Sequence, residues 1–131
     1  MTLALHTDDV MRAIGSQFQR EGRAKFIEFP SAVYSMHPYD KVTKNGKVVG
    51  LSMFAGYSFN ERQMLSMGVL DADVEVGDEL VLTWGEEDGG TRKTTVERPH
   101  KQKEIRVKVG PVPYSRDARE SYAQSWRTRS Q

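Results

Sequence analysis

The chain has 131 residues, no cysteine, and 19 Lys and Arg against 18 Asp and Glu, a formal net charge of +1. That length accommodates one domain with one core, and the lack of cysteine excludes disulfides, thiolate chemistry and Cys-based zinc sites. The charge balance argues against a nucleic-acid binder and against a polybasic membrane anchor.

The first element in chain order reads as a helix over 8–20. Thr7 is a candidate N-cap, Asp8 and Asp9 occupy the first turn, and Val10, Met11, Ile14 and Phe18 recur at helical spacing. Arg20, Glu21 and Gly22 read as its end. Residues 1–22 are thus expected to form an N-terminal connector helix, 23–114 a barrel domain and 115–131 a polar tail. The opening MTLALHTDDVMR lacks the basic n-region of a secretory signal. No apolar run approaches the ~18 residues of a membrane span. A cytoplasmic chain without membrane or nucleic-acid partners is the expectation.

After Gly22 the period changes. Lys25–Phe29 is strand-like and closed by Pro30, Ala32–Tyr34 offers another short extended piece, and Met36–Asp40 reads as a loop. The clearest local signal follows. Lys41–Lys44, Asn45-Gly46 and Lys47–Leu51 form a two-residue β-hairpin, since Asn-Gly accepts the positive φ angles of a type I′ turn. Gly56–Glu61 reads as a bend. Gln63–Leu70 follows as a strand whose apolar residues suggest partial burial on both sides. Glu79–Trp84 is a strong strand, Glu86–Gly90 a solvated hairpin loop, and Arg92–Glu97 a returning strand rich in β-branched residues. Arg98–Lys103 is a polar link. Glu104–Val109 alternates in strict period two. Ser115–Gln131 is polar and could form a helix from an N-capping Ser115, fraying at its end.

Six or seven strands joined by short turn signals, with one helix in front, predict a mainly β fold. The expected architecture is a small antiparallel, Greek-key-like six- to seven-stranded β-barrel with one N-terminal helix and room for a C-terminal one.

No catalytic constellation is visible. His6, His37 and His100 are isolated in sequence, and a metal site would need the fold to gather them; surface or loop histidines are the simpler reading. No HExxH, GxSxG or CxxC occurs, and the glycines suit hairpins rather than a phosphate cradle. The expectation is no metal and no assigned catalytic residue. Glu86-Glu87-Asp88 reads as a solvated loop tip, the basic run Arg98–Lys103 as a solvated linker, and Trp84 as core or core edge. Trp126 in the polar tail is expected to fold back onto a surface. The bend carries Tyr57, Phe59, Asn60, Glu61 and Arg62 between two strands; it reads either as a recognition loop or as an ordinary glycine-started bend.

Several segments carry a family resemblance. Lys47–Ser52, the Gly56–Arg62 bend, Met64–Val69 and Val76–Leu82 resemble the C-terminal barrel domain of the glycine cleavage T-protein (aminomethyltransferase) family. Leu51-Ser52 and Ser58–Glu61 depart from that family's usual T-S step and serine-proline bend. The nearer resemblance is to tetrahydrofolate-dependent O-demethylases of methoxylated aromatic acids, of the vanillate and syringate type. It rests on Ser35–Val42, Ala55–Arg62, Leu82–Glu86 with Gly89-Gly90, and Val112–Arg116, and it covers nearly the whole chain.

The resemblance implies an accessory C-terminal barrel that packs over a larger N-terminal part holding folate and substrate. It implies, for the complete enzyme, methyl transfer from an aryl ether oxygen to N5 of tetrahydrofolate, with a small methoxylated aromatic as substrate. The partner it implies is a missing N-terminal folate-binding domain or subunit, without which the chain is not expected to be active. If the barrel touches ligand, Tyr57, Asn60 and Arg62 are the candidates. Arg62 would pair with a carboxylate of folate or substrate, or form a salt bridge with Glu61 or another domain. The competing reading is a self-standing barrel used as a binding or protein-interaction module. Exposed surface discriminates the two: a domain that has a neighbour keeps an apolar patch, whereas a free module is polar all round.

Overall fold

A computed structural model describes residues 1–27, 39–90 and 99–122. Within them the chain forms β1 (Thr2–Leu5), α1 (Thr7–Ser16), β2 (Asp40–Lys44), β3 (Lys47–Ser58), β4 (Gln63–Leu70), β5 (Glu79–Trp84), β6 (Lys103–Gly110) and α2 (Arg116–Glu120).

The six strands close into an antiparallel barrel in the order β1-β4-β3-β2-β5-β6. Strands β2, β3 and β4 are a meander, and β5 returns beside β2, which is a Greek key. The predicted architecture and its two helices are thus present. The Asn45-Gly46 turn has the expected positive φ at both residues, 52° and 79°, and joins β2 to β3.

Closure depends on a strand that the sequence reading does not contain. Thr2–Leu5 pairs with β4 on one side and β6 on the other, with Leu3 opposite Ser66 and Val109. It is only four residues long, and Leu3 and Leu5 are fully buried. Alternation then fills the barrel with Leu3, Leu5, Val42, Leu82, Ile105 and Val109, leaving it a packed core. Ser52 and Ser66 also face inward, and their hydroxyls satisfy each other at 2.7 Å.

Helix α1 is shorter than predicted and lies differently. His6, not Thr7, is its N-cap residue, with no side-chain cap bond, and Gln17 is its C-cap. It starts directly after β1 and seals the barrel mouth where β1, β3 and β5 end. Asp9, Val10, Ala13 and Ser16 are its buried face, whereas Met11 and Phe18, placed on that face by spacing, are exposed. Two contacts fix it. The Asp9 carboxylate accepts from the Arg106 backbone N–H at 2.8 Å and from its guanidinium at 2.9 Å. Ser16 Oγ donates to Ala13 O and accepts from Ala24 N–H, tying the helix end to the segment that follows.

That segment is not a strand over its described part. Only Ala24 forms a bridge, to Lys101. The predicted extended pieces at 28–34, the strand at 92–97, His37 and Trp126 lie outside the described residues.

Candidate functional site

Three features of this barrel bear on function: a charged cluster, the β3–β4 turn on the barrel rim, and the outer wall.

A charged cluster lies at the ends of β2 and β5. Lys25 is buried, and its Nζ lies 2.8 Å from Glu86 Oε1, 3.4 Å from Asp40 Oδ1 and 5.3 Å from the centre of the Trp84 ring. Trp84 closes the loop by donating its indole N–H to Lys25 O at 2.9 Å. Asp40 also accepts the Gly85 N–H at 3.0 Å. Gly85 has φ 106°, and a side chain there would run into the His100 ring, so the position requires glycine.

Burial pushes the Asp40 carboxyl above the usual range, with Lys25 opposing the shift. Burial also acts to raise Glu86, but the hydrogen bond and charge of Lys25 outweigh it, and Glu86 is held below its ordinary value. His100 is buried beside Glu86. Its Nε2 accepts the Glu86 backbone N–H at 3.0 Å, and Glu86 Oε2 lies 2.9 Å from the same nitrogen. Within the loop tip Glu87 and Asp88 are exposed as expected, and so are Pro99, Lys101 and Gln102 of the linker; Glu86, half-buried on Lys25, and His100, buried, are the two residues that depart from a solvated reading. Lys25, Asp40, Glu86 and His100 are far apart in sequence, and no local pattern announces their convergence.

The rim carries the predicted ligand residues. The bend is tighter than expected, because β3 runs through Gly56, Tyr57 and Ser58 and only 59–62 form the turn. Tyr57 therefore sits on a strand, opposite Met64. Asn60 and Arg62 are on the exposed turn, Arg62 with φ 50°. Among the described residues Arg62 has no ion pair, with Glu61 or any other group. Tyr57, Asn60 and Arg62 lie where β3 continues six residues beyond Ser52, the partner of Asp40, and among the described residues no hydrogen bond or ion pair joins Asn60 or Arg62 to the charged cluster.

Among the described residues no three His, Asp or Glu side chains converge as metal ligands. No described helix is long and apolar enough to cross a membrane. On the outer wall, β4 presents Met67 and Val69 to solvent although its sequence suggests burial on both sides. The second side is uncovered among the described residues.

The class the fold defines is a small closed Greek-key β-barrel with a filled interior and an apolar outer wall. No protein-family model matches the chain. Over 130 residues, 98% of the chain, it is 55% identical to the syringate O-demethylase of Sphingobium sp.. The chain spans 28% of the length of that protein. A small barrel matching a fragment of a larger enzyme fits a C-terminal domain.

Proposed function

We propose that the chain is the accessory barrel of a tetrahydrofolate-dependent aryl-methyl-ether O-demethylase, allied to the C-terminal barrel of the glycine cleavage T-protein family. The observation that carries this reading is the 55% identity along 98% of the chain to an O-demethylase of which it spans 28%. In this reading a larger part, in the same chain or a separate one, binds folate and a methoxylated aromatic. When bound there, tetrahydrofolate accepts the methyl group at N5.

The residues of the barrel fit a peripheral role toward folate. The interior is filled by Leu3, Leu5, Val42, Leu82, Ile105 and Val109 and leaves no room for a pterin. The rim offers a cation and an aromatic instead: Arg62 on the exposed turn and Tyr57 beside it. Arg62 would hold a carboxylate of folate or substrate, Tyr57 would supply a flat face and Asn60 a polar contact. The exposed apolar wall supports this reading over a free-standing module, which would be polar all round.

The test is replacement of the matched stretch of the syringate O-demethylase by this chain. The hybrid is expected to demethylate syringate with tetrahydrofolate, and the isolated chain is not. A folded but inactive hybrid, or demethylation by the isolated chain, overturns the reading. Arg62→Ala in the hybrid should raise the KM for folate or substrate and leave the melting temperature unchanged. Anaerobic calorimetric titration of the isolated chain with tetrahydrofolate then shows how much of the folate site is local.

A further inference from the structure

We infer that the outer wall formed by β1, β4 and β3 is the surface on which the barrel docks to the remainder of the enzyme; this rests on the reading just proposed. Register defines the wall. Ala4 faces Leu65, which faces Gly56; Thr2 faces Met67, which faces Met53; and Val69 faces Leu51. Residues directly opposite in neighbouring strands share a face, so these side chains form one tile across three strands. Leu51, Met67 and Val69 are 42%, 57% and 59% exposed, the reverse of what apolar residues in a closed barrel gain from burial.

Apart from the Met1 amine, which donates to Gly68 O on β4, the wall is also uncharged. β1, β4 and all of β3 beyond Lys47 contain no Asp, Glu, Lys or Arg. On the opposite wall five charged residues, Lys41, Glu79, Glu104, Arg106 and Lys108, stand at outward positions of β2, β5 and β6, beside the uncharged Thr43, Val81 and Thr83. Soluble proteins keep charges on the outer faces of strands that meet water. A wall that omits them over three adjacent strands is the apolar centre of an interface, for which a polar rim completes the usual ~800 Å² per partner.

The occupant is the remainder of the enzyme rather than a second copy. The homologous O-demethylase carries the matching stretch as 28% of its length, so a large neighbour is present whenever that stretch is made. Attachment in one chain holds the neighbour at high effective concentration, and an interface of modest size then suffices.

Methionine oxidation tests this. Met67 on the wall and Met11 on the outer side of α1 are 57% and 58% exposed, so dilute peroxide should oxidise them at similar rates in the isolated chain. In the hybrid enzyme Met67 should oxidise several-fold more slowly while Met11 keeps its rate. Equal rates for Met67 in both forms, in a hybrid that demethylates, overturn the docking surface and leave the functional reading standing. An inactive hybrid with Met67 protected removes the functional reading and keeps the surface. An inactive hybrid with Met67 unprotected removes both. A second variant, Met67→Lys with Val69→Lys, should leave the melting temperature of the isolated chain unchanged and lower that of the hybrid. Concentration-dependent dimerisation of the isolated chain that this variant abolishes would instead assign the wall to a second copy and overturn the proposal.

Discussion

The two walls of this barrel are built from the same kind of strand and meet different surroundings. On β2, β5 and β6 the outward positions carry Lys41, Glu79, Glu104, Arg106 and Lys108 among Thr43, Val81 and Thr83, and Glu79 stands opposite Lys108. On β1, β4 and β3 the outward side chains are uncharged, and Met67, Val69, Leu51, Met53, Leu65 and Ala4 pair among themselves or with Thr2 and Gly56. Inside, both walls contribute to one core. The difference therefore teaches about what lies outside the barrel. Charge marks the wall that water covers; its absence marks the wall that another protein surface covers. The charged half also anchors α1 through Arg106, and the end of β5 leads into the Lys25 cluster.

The comparison is broken most severely at Lys25. Replacing Lys25 by Met leaves Asp40 and Glu86 without their cation, and removal of one partner from a buried ion pair costs about 3–5 kcal/mol. The loss should depend on pH. The Asp40 carboxyl is raised above 3.8 in the folded chain. Protonation therefore favours the folded state, and that benefit fades as pH rises through the folded value. The Lys25→Met chain should be least stable at neutral pH and recover toward acid, and adding Asp40→Asn should restore part of the loss. Urea melts at pH 5 and pH 7 measure this; equal stability to the unsubstituted chain would mean that the two carboxyl groups do not depend on Lys25.

The uncharged half breaks at Gly50. Its φ is 155°, and a side chain there would meet the Val69 carbonyl and Leu70 on β4. Gly50→Ala must force the two strands apart or strain the backbone, at about 1–3 kcal/mol. A chemical denaturation curve unchanged from that of the native sequence would show that the strands do not approach so closely.

Legibility in the sequence follows the range of the interactions. The β2–β3 hairpin was readable because Asn45-Gly46 encodes its turn within two residues, and β6 because period-two alternation is local. β1 was not, because four residues carry no periodicity of their own. They become a strand only by pairing with β4 and β6, more than 60 residues away. The Lys25, Asp40, Glu86 and His100 cluster was hidden for the same reason. The apolar residues of β4 were legible as partial burial on both sides, but nothing in one chain says that the second side needs another surface. In the Gly56–Arg62 bend, the glycine misled: the strand runs through Gly56, and the turn is made by the four residues after Ser58.

The smallest of the expected effects sharpens the charged side of the comparison. Asp9 is buried on α1, and the hydrogen bonds from Arg106, against the cost of burial, hold its carboxyl well below the usual carboxylate range. Arg106 is itself 60% exposed, so water screens much of the attraction. Asp9→Asn keeps an oxygen that can accept the Arg106 backbone N–H and loses the charge together with the second acceptor oxygen, which takes guanidinium N–H groups of Arg106 and Arg12. Its melting temperature should fall by a few degrees at pH 7. The sign with pH is opposite to that at Asp40. A lowered carboxyl stabilises the folded chain above 3.8, its unfolded value, and that stabilisation is lost as pH falls through the folded value. The gap between the two chains should therefore hold steady from pH 7 to pH 5 and narrow below pH 3.8. A gap of constant width down to the acid limit would assign the Asp9 contribution to the shape of its hydrogen bonds, and α1 would then be held to the charged wall by geometry alone.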